Sequence, residues 1–220
     1  MRQRQATPRA VRRAARRAGS PDDHRTTVRL LTFDASATSA GRDRGPCQNC
    51  RVSNYFTAGG SSPDRAGVHL SNGGTDVLFD VLTLAGCALA ETAWEDNLVL
   101  HFADGHRVGR GTSGFDLSEL PWTADWPAEK AFFLQMIDSA LSRHGWDLLS
   151  YDPPHVTESL AAYRAMVAQF TPVPATVPSP DWGDWRIAPR PELLVRCPAH
   201  GLFQGEFGCR LCDPEIQPIG

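Results

Sequence analysis

The chain has 220 residues, 41% of them apolar, and a formal net charge of −3. This length allows one well-packed domain with a small appendage, and no apolar run approaches the roughly 18 residues that predict a membrane-spanning helix. The N-terminal segment lacks the apolar core of a secretory signal. We therefore expect a cytoplasmic protein without a membrane span, whose six cysteines are metal ligands or buried thiols rather than disulfides.

The charge is distributed unevenly along the chain. Residues 1–21 contain seven arginines and no acidic side chain, whereas the rest of the chain carries 15 basic and 25 acidic side chains and a net charge of −10. The basic arm has almost no apolar face to bury, so we expect it to be disordered and solvated. Binding of nucleic-acid phosphates by its arginines is the alternative interpretation.

Glycine and proline remain frequent beyond the arm, and we predict that residues 1–74 form a mostly disordered basic and Gly/Pro-rich region. Within this region, Cys47 and Cys50 form an isolated Cys-x2-Cys pair. The pair alone is a weak signal, because it is compatible with half of a metal site, a redox pair or two unused thiols.

Residues 75–171 show the apolar patterning of a folded domain. Asp76 is expected to cap a short helix that ends at Gly86, although a strand is an alternative for so short an apolar run. Cys87–Trp94 is expected to form a strand, followed by a turn at 95–97.

A β-hairpin is the most clearly predicted element. Leu98–Ala103 is an apolar run of strand length, and the following Asp-Gly pair is a preferred two-residue turn, so the chain is expected to return antiparallel. His101, His106 and Asp116 on or beside this hairpin are the candidates for an enzyme site of unknown reaction near residues 101–116. No serine–histidine–aspartate order, phosphate loop or paired acids accompany them.

Two helices and a strand complete the predicted domain. Pro127 begins a helix that ends near Gly145, Trp146–Tyr151 is expected to be a strand, and Val156–Phe170 is expected to be a second helix. The predicted fold class is therefore α+β, with helices packed on one face of a small antiparallel sheet. A Pro-rich linker over 172–191 follows, and its two tryptophans are expected to dock onto the domain.

Four residues of metal-ligand type stand close together near the C-terminus. Cys197 and His200 form a Cys-x2-His pair, and eight residues later Cys209 and Cys212 form a Cys-x2-Cys pair. Each x2 spacing lets a tight turn direct two side chains at one ion. About 20 residues cannot bury enough apolar surface to fold alone, whereas Zn²⁺ ligation contributes on the order of 10 kcal/mol to such units. The spacing therefore predicts a zinc site.

With these four ligand positions, residues 193–214 resemble a short zinc ribbon, and the resemblance extends to no other part of the chain. It implies a zinc-ribbon-like module over 192–220 whose ion is structural, because four protein ligands leave no open coordination position. We therefore predict a zinc-binding, non-enzymatic regulatory or interaction protein whose partner is another protein. The alternatives are an enzyme with its site near 101–116, and a nucleic-acid-associated protein that uses the Arg-rich arm.

Overall fold

Four α-helices and a two-stranded antiparallel sheet form the main regular structure of the described residues, which confirms the predicted α+β class. This computed structural model describes residues 54–59, 67–105, 107, 114–153, 155–178 and 182–214, all within the unit Cys47–Gly220. The Arg-rich arm, the Cys47–Cys50 pair and His106 lie outside the described residues. The elements are β1 (Asn54–Phe56), β2 (Val68–Leu70), α1 (Asn72–Leu89), α2 (Ala93–Asp104), α3 (Trp126–Leu141) and α4 (Val156–Gln169).

The sheet consists of strands β1 and β2, in which Phe56 pairs with Val68. Phe56 is fully buried and makes edge-to-face contacts with Phe79 of α1 and Tyr163 of α4. The strands are short, and burial of such aromatic side chains against the helices stabilises them more than the strand pairing does. The folded part of the chain therefore extends N-terminal to residue 75.

Helix α1 is the central element of the fold and packs against the other three helices. It begins earlier than predicted, because Ser71 is the N-cap and its hydroxyl accepts a hydrogen bond from the Gly74 N–H at 3.1 Å. Gly86 lies where α1 passes close to both α2 and α3. A Cβ added there would stand 2.5 Å from Val99 of α2 and 2.8 Å from Met136 of α3.

The predicted hairpin is wrong, and helix α2 occupies its place. The predicted strand at Cys87–Trp94 is wrong as well, since its first residues complete α1 and its last residues begin α2. Thr92 and Glu95 form a capping box, in which each side chain accepts a hydrogen bond from the other residue's backbone N–H. Helix α2 is buried on more than one side over Leu98–Ala103. A helix buried in this way has no polar face, so its sequence is an apolar run that looks like a strand.

Helices α3 and α4 lie where the sequence predicts them, and α3 carries the predicted proline in its first turn. The strand predicted at Trp146–Tyr151 is wrong: Trp146–Leu148 is a single 3₁₀ turn. Gly145 directs the chain into this turn with φ of +72°, and Leu148 is left 39% exposed without a strand partner.

The two tryptophans of the Pro-rich segment dock onto the helices, as predicted. Trp185 is buried, and its ring centroid lies 5.5 Å from that of Trp94 on α2. Trp182 lies against His101, with ring centroids 4.5 Å apart. Among the helices of the described residues, none combines the length and the apolar character needed to cross a membrane.

Candidate metal centre

Two tight turns carry the four predicted metal ligands. In the first turn, the Cys197 N–H donates to Leu202 O at 2.7 Å and the Gly201 N–H donates to Cys197 O at 2.8 Å. Gly201 has φ of +70°, a conformation that glycine adopts without strain. In the second turn, Cys209 precedes a 3₁₀ helix, Arg210–Cys212. We call residues 193–214 the metal module.

The four candidate ligand atoms converge on one point, and all lie within 4.8 Å of one another. Cys197 Sγ lies 3.7 Å from Cys212 Sγ and 3.7 Å from His200 Nδ1. His200 Nδ1 also lies 3.5 Å from Cys209 Sγ and 3.4 Å from Cys212 Sγ. A tetrahedral zinc ion with ordinary bond lengths sets S···S distances of about 3.8 Å and S···N distances of about 3.6 Å. The cluster therefore has the size of a tetrahedral site that can hold a metal ion.

The electrostatics of the cluster also favour a cation. Burial raises the pKa of the Cys197 thiol, but hydrogen bonds from the backbone N–H groups of His200 and Ala199 and from neighbouring side chains lower it to about 6. Burial, together with the adjacent Cys197 sulfur, raises the pKa of Cys209 to about 12 and raises that of Cys212. Thiolates this close repel one another, so the three sulfurs can all be ionised only around a positive ion.

Arg210, between Cys209 and Cys212 in the second turn, anchors the metal module to helix α1. Its side chain is fully buried and forms ion pairs with Asp76, at 3.1 Å, and with Asp80. Its Nη1 also donates to Gly105 O at 2.7 Å, just after the end of α2. The Tyr151 hydroxyl donates to the second Asp80 oxygen at 2.6 Å. The burial of Asp76 is thus explained by this pairing and not by the helix cap that the sequence suggested.

Two further arginines join the module to the helices. The Arg196 Nη2 group donates to Cys87 O, near the end of α1, at 2.6 Å. Arg107 follows α2, and it donates to Gly208 O at 2.7 Å and pairs with Asp213 at 2.8 Å. Arg196 directly precedes Cys197, and Arg107 contacts Gly208 and Asp213, which neighbour Cys209 and Cys212. These contacts hold both turns of the cluster directly against the helices.

Asp104 forms a fourth link, from the last residue of α2. Both of its carboxylate oxygens lie 3.1 Å from the Glu206 N–H, which donates to them. Gly205 lies directly beneath this carboxylate with φ of +58°, and a Cβ there would collide with Asp104 Oδ1. Glycine is therefore required at this position for the module to approach α2.

His101 and Asp116, the two described candidates for an enzyme site, are engaged by neighbouring parts of the fold. His101 is half-buried among aromatic rings, and burial lowers its pKa to about 4, so it is neutral at physiological pH. Its Nε2 has no hydrogen-bond partner within the described part of the chain. Asp116 accepts hydrogen bonds from Thr57 Oγ1, from Gly59 N–H, and from the N–H and hydroxyl of Ser118. His101 and Asp116 therefore have packing and loop-closing roles.

Sequence reasoning predicted the four residues of the cluster but missed the buried ion pairs that dock the metal module onto the helices. The available signal was the pair of aspartates at positions 76 and 80, which lie four apart in an otherwise apolar stretch and must share one helix face. A buried carboxylate requires a partner. When the chain is compared with protein-family models, with curated proteins and with solved structures, none of them matches.

Proposed function

We propose that Cys197, His200, Cys209 and Cys212 bind one Zn²⁺ as a structural ion, and that the protein is a non-enzymatic interaction protein. The single observation that carries the zinc proposal is the set of S···S and S···N distances of 3.4 to 3.7 Å. Three thiolates and one imidazole in tetrahedral geometry form a donor set that suits zinc.

The proposed ion has a mechanical role. Zinc would hold both ligand turns together, and Arg210 in the second turn would then remain inserted between α1 and α2. Because four protein ligands complete the tetrahedron, the ion would have no free position for a water nucleophile. The proposal of a binding protein follows from this closed site and from the structural roles of His101 and Asp116. We infer that its partner is another protein.

Metal analysis of the purified full-length chain tests the zinc proposal. We expect about one zinc per chain from this cluster, and we expect Cys209→Ser and Cys212→Ser to lose it. Cys87→Ser is the matched control, because Cys87 is a buried thiol outside the cluster and serine can still accept the hydrogen bond that the Phe203 N–H donates to the Cys87 sulfur. A Cys47→Ser, Cys50→Ser double variant tests whether those residues hold any additional metal. Co²⁺ substitution should give the intense visible bands of tetrahedral thiolate ligation.

Two results would contradict the zinc proposal. The first is a parent protein that contains no stoichiometric zinc after purification without chelators. The second is full zinc retention in a variant that lacks both Cys209 and Cys212.

Nucleic-acid association through residues 1–21 is a second candidate function, which rests on their seven arginines. Binding of this kind should weaken steeply as salt rises and should be lost when the arm is deleted. If deletion leaves both the affinity and the salt dependence unchanged, this candidate is rejected.

A further inference from the structure

A cavity of about 540 Å³ lies between helix α2, the docked tryptophan segment and the metal module. Leu100 and His101 of α2 form one wall, and Trp182 and Trp185 form another. The module closes the remaining side with Leu193 and Glu206. Three parts of the chain must therefore be assembled before this cavity exists.

Among the described residues that line the cavity, the charged side chains are those of Asp104 and Glu206, both acidic. Two arginines approach the carboxylates from outside the lining. Arg190 forms an ion pair with Glu206 in which both side chains are more than half exposed, and Arg107 is engaged with Asp213 and with module carbonyls. The cavity therefore combines apolar and aromatic walls with a negatively charged edge. An exposed ion pair such as Arg190–Glu206 contributes little stability, so a partner can exchange with it at low cost.

We propose that this cavity receives an arginine side chain presented by a basic segment of a partner protein, an inference that rests on the interaction function proposed above. The apolar stem of arginine packs against aromatic and aliphatic walls, while its guanidinium stacks on an indole face and forms paired hydrogen bonds with a carboxylate. Glu206 already accepts one hydrogen bond from the guanidinium of Arg190. The net charge of −10 outside the N-terminal arm would attract a basic partner.

The test is an NMR titration of the full-length protein after its zinc content has been measured. The probe is the blocked peptide Gly-Gly-Arg-Gly-Gly, observed through the indole N–H signals of Trp182 and Trp185. The matched control peptide carries citrulline, which has nearly the shape of arginine without its charge. A lysine peptide tests whether a compact ammonium can replace the planar guanidinium, and agmatine tests whether the cavity instead takes a small free cation.

We expect saturable shifts of the Trp182 indole with the arginine peptide, and weaker binding of the lysine, citrulline and agmatine probes. Glu206→Gln should weaken arginine binding about twofold to fivefold. Trp182→Leu, observed through Trp185, should weaken it about threefold or more because the aromatic face is lost. Glu192→Gln, at an exposed acid that directly precedes the metal module and is not among the cavity-lining residues, should leave the affinity unchanged.

Three results would overturn the inference. They are equal affinity for arginine and citrulline, unchanged affinity in both the Glu206 and Trp182 variants, and the absence of saturable shifts at millimolar peptide. Tighter binding of agmatine than of the peptide would reject the protein partner in favour of a small cation. A protein that holds stoichiometric zinc but fails this test would refute only the arginine site, whereas missing zinc would refute the proposed function itself.

Discussion

Replacement of Arg210 by methionine should be among the most damaging single changes in the metal module. Methionine keeps much of the side-chain stem but removes the guanidinium that pairs with Asp76 and Asp80. The exposed fractions of these three side chains are 0%, 8% and 1%, so water cannot take over the role of the lost cation. Removing one partner of a buried ion pair costs about 3–5 kcal/mol. Because one cation serves two carboxylates here, we expect a loss near the upper end of this range.

This loss corresponds to a fall in Tm of about 10 °C or more for a chain of this size. Circular dichroism during thermal and urea unfolding of the full-length protein measures it. The matched control is Arg164→Met, which breaks a bidentate ion pair with Asp138 whose side chains are 42% and 47% exposed. We expect no measurable change in that variant, because exposed ion pairs are screened by water.

A rescue experiment separates lost charge pairing from lost packing. If buried carboxylates cause the damage, then Asp76→Asn and Asp80→Asn added to Arg210→Met should recover at least half of the lost stability. A loss below about 1 kcal/mol in Arg210→Met would refute the reasoning, because a desolvated cation between two acids cannot be that dispensable. Failure of the rescue, with a large loss, would assign the effect to packing instead of charge.

Three further predictions concern close packing, backbone conformation and pH. Gly86→Ala should lower the free energy of unfolding by about 1–3 kcal/mol, because its Cβ would stand 2.5 Å from a methyl group of α2. Gly73→Ala, also in α1, meets no atom within 4 Å and should raise the free energy of unfolding by up to about 0.5–1 kcal/mol. Urea unfolding should therefore show opposite signs, and equal effects would contradict the packing of α1. Gly201→Ala should lower the stability by about 1–2 kcal/mol through backbone strain alone. Gly205→Ala should lower it clearly more, because its Cβ would also collide with the carboxylate of Asp104. Equal losses of stability in thermal unfolding would show that the metal module does not approach α2 so closely. Folding lowers the pKa of His101 from 6.5 to about 4, so stability that is present above pH 6.5 should be lost as the pH falls toward 4, by about 2 kcal/mol at pH 5. His101→Phe cannot take up this proton and should lose less stability than the parent between pH 8 and pH 5 in urea titrations; parallel losses would mean that His101 is not the group responsible.

The parts of the fold that the sequence predicted correctly are those with local signals. Helices α3 and α4 have apolar residues at helical spacing, and α3 also has a proline in its first turn, features that act within one element. The four Cys and His residues that the structure brings together were likewise predicted from their spacing, because each pair sits within a single tight turn. Such signals are independent of the elements that pack around them.

Helix α2 shows why other predictions failed. Its apolar run and the following Asp-Gly pair have the local pattern of a hairpin, and only burial by neighbouring elements explains the missing polar face. The Thr92-x-x-Glu95 capping box was a helix signal present in the sequence, but the strand pattern was given more weight.

The sequence by itself thus determined which residues are able to bind a metal. Only the tertiary structure decided what that site is attached to, because Arg210 meets Asp76 and Asp80 from 130 or more positions away along the chain. Contacts over such separations leave no local spacing pattern. They depend instead on burial, because a buried charge without a partner is too costly. The buried charges of Arg210, Asp76 and Asp80 therefore pair, and this pairing holds the metal module on helix α1.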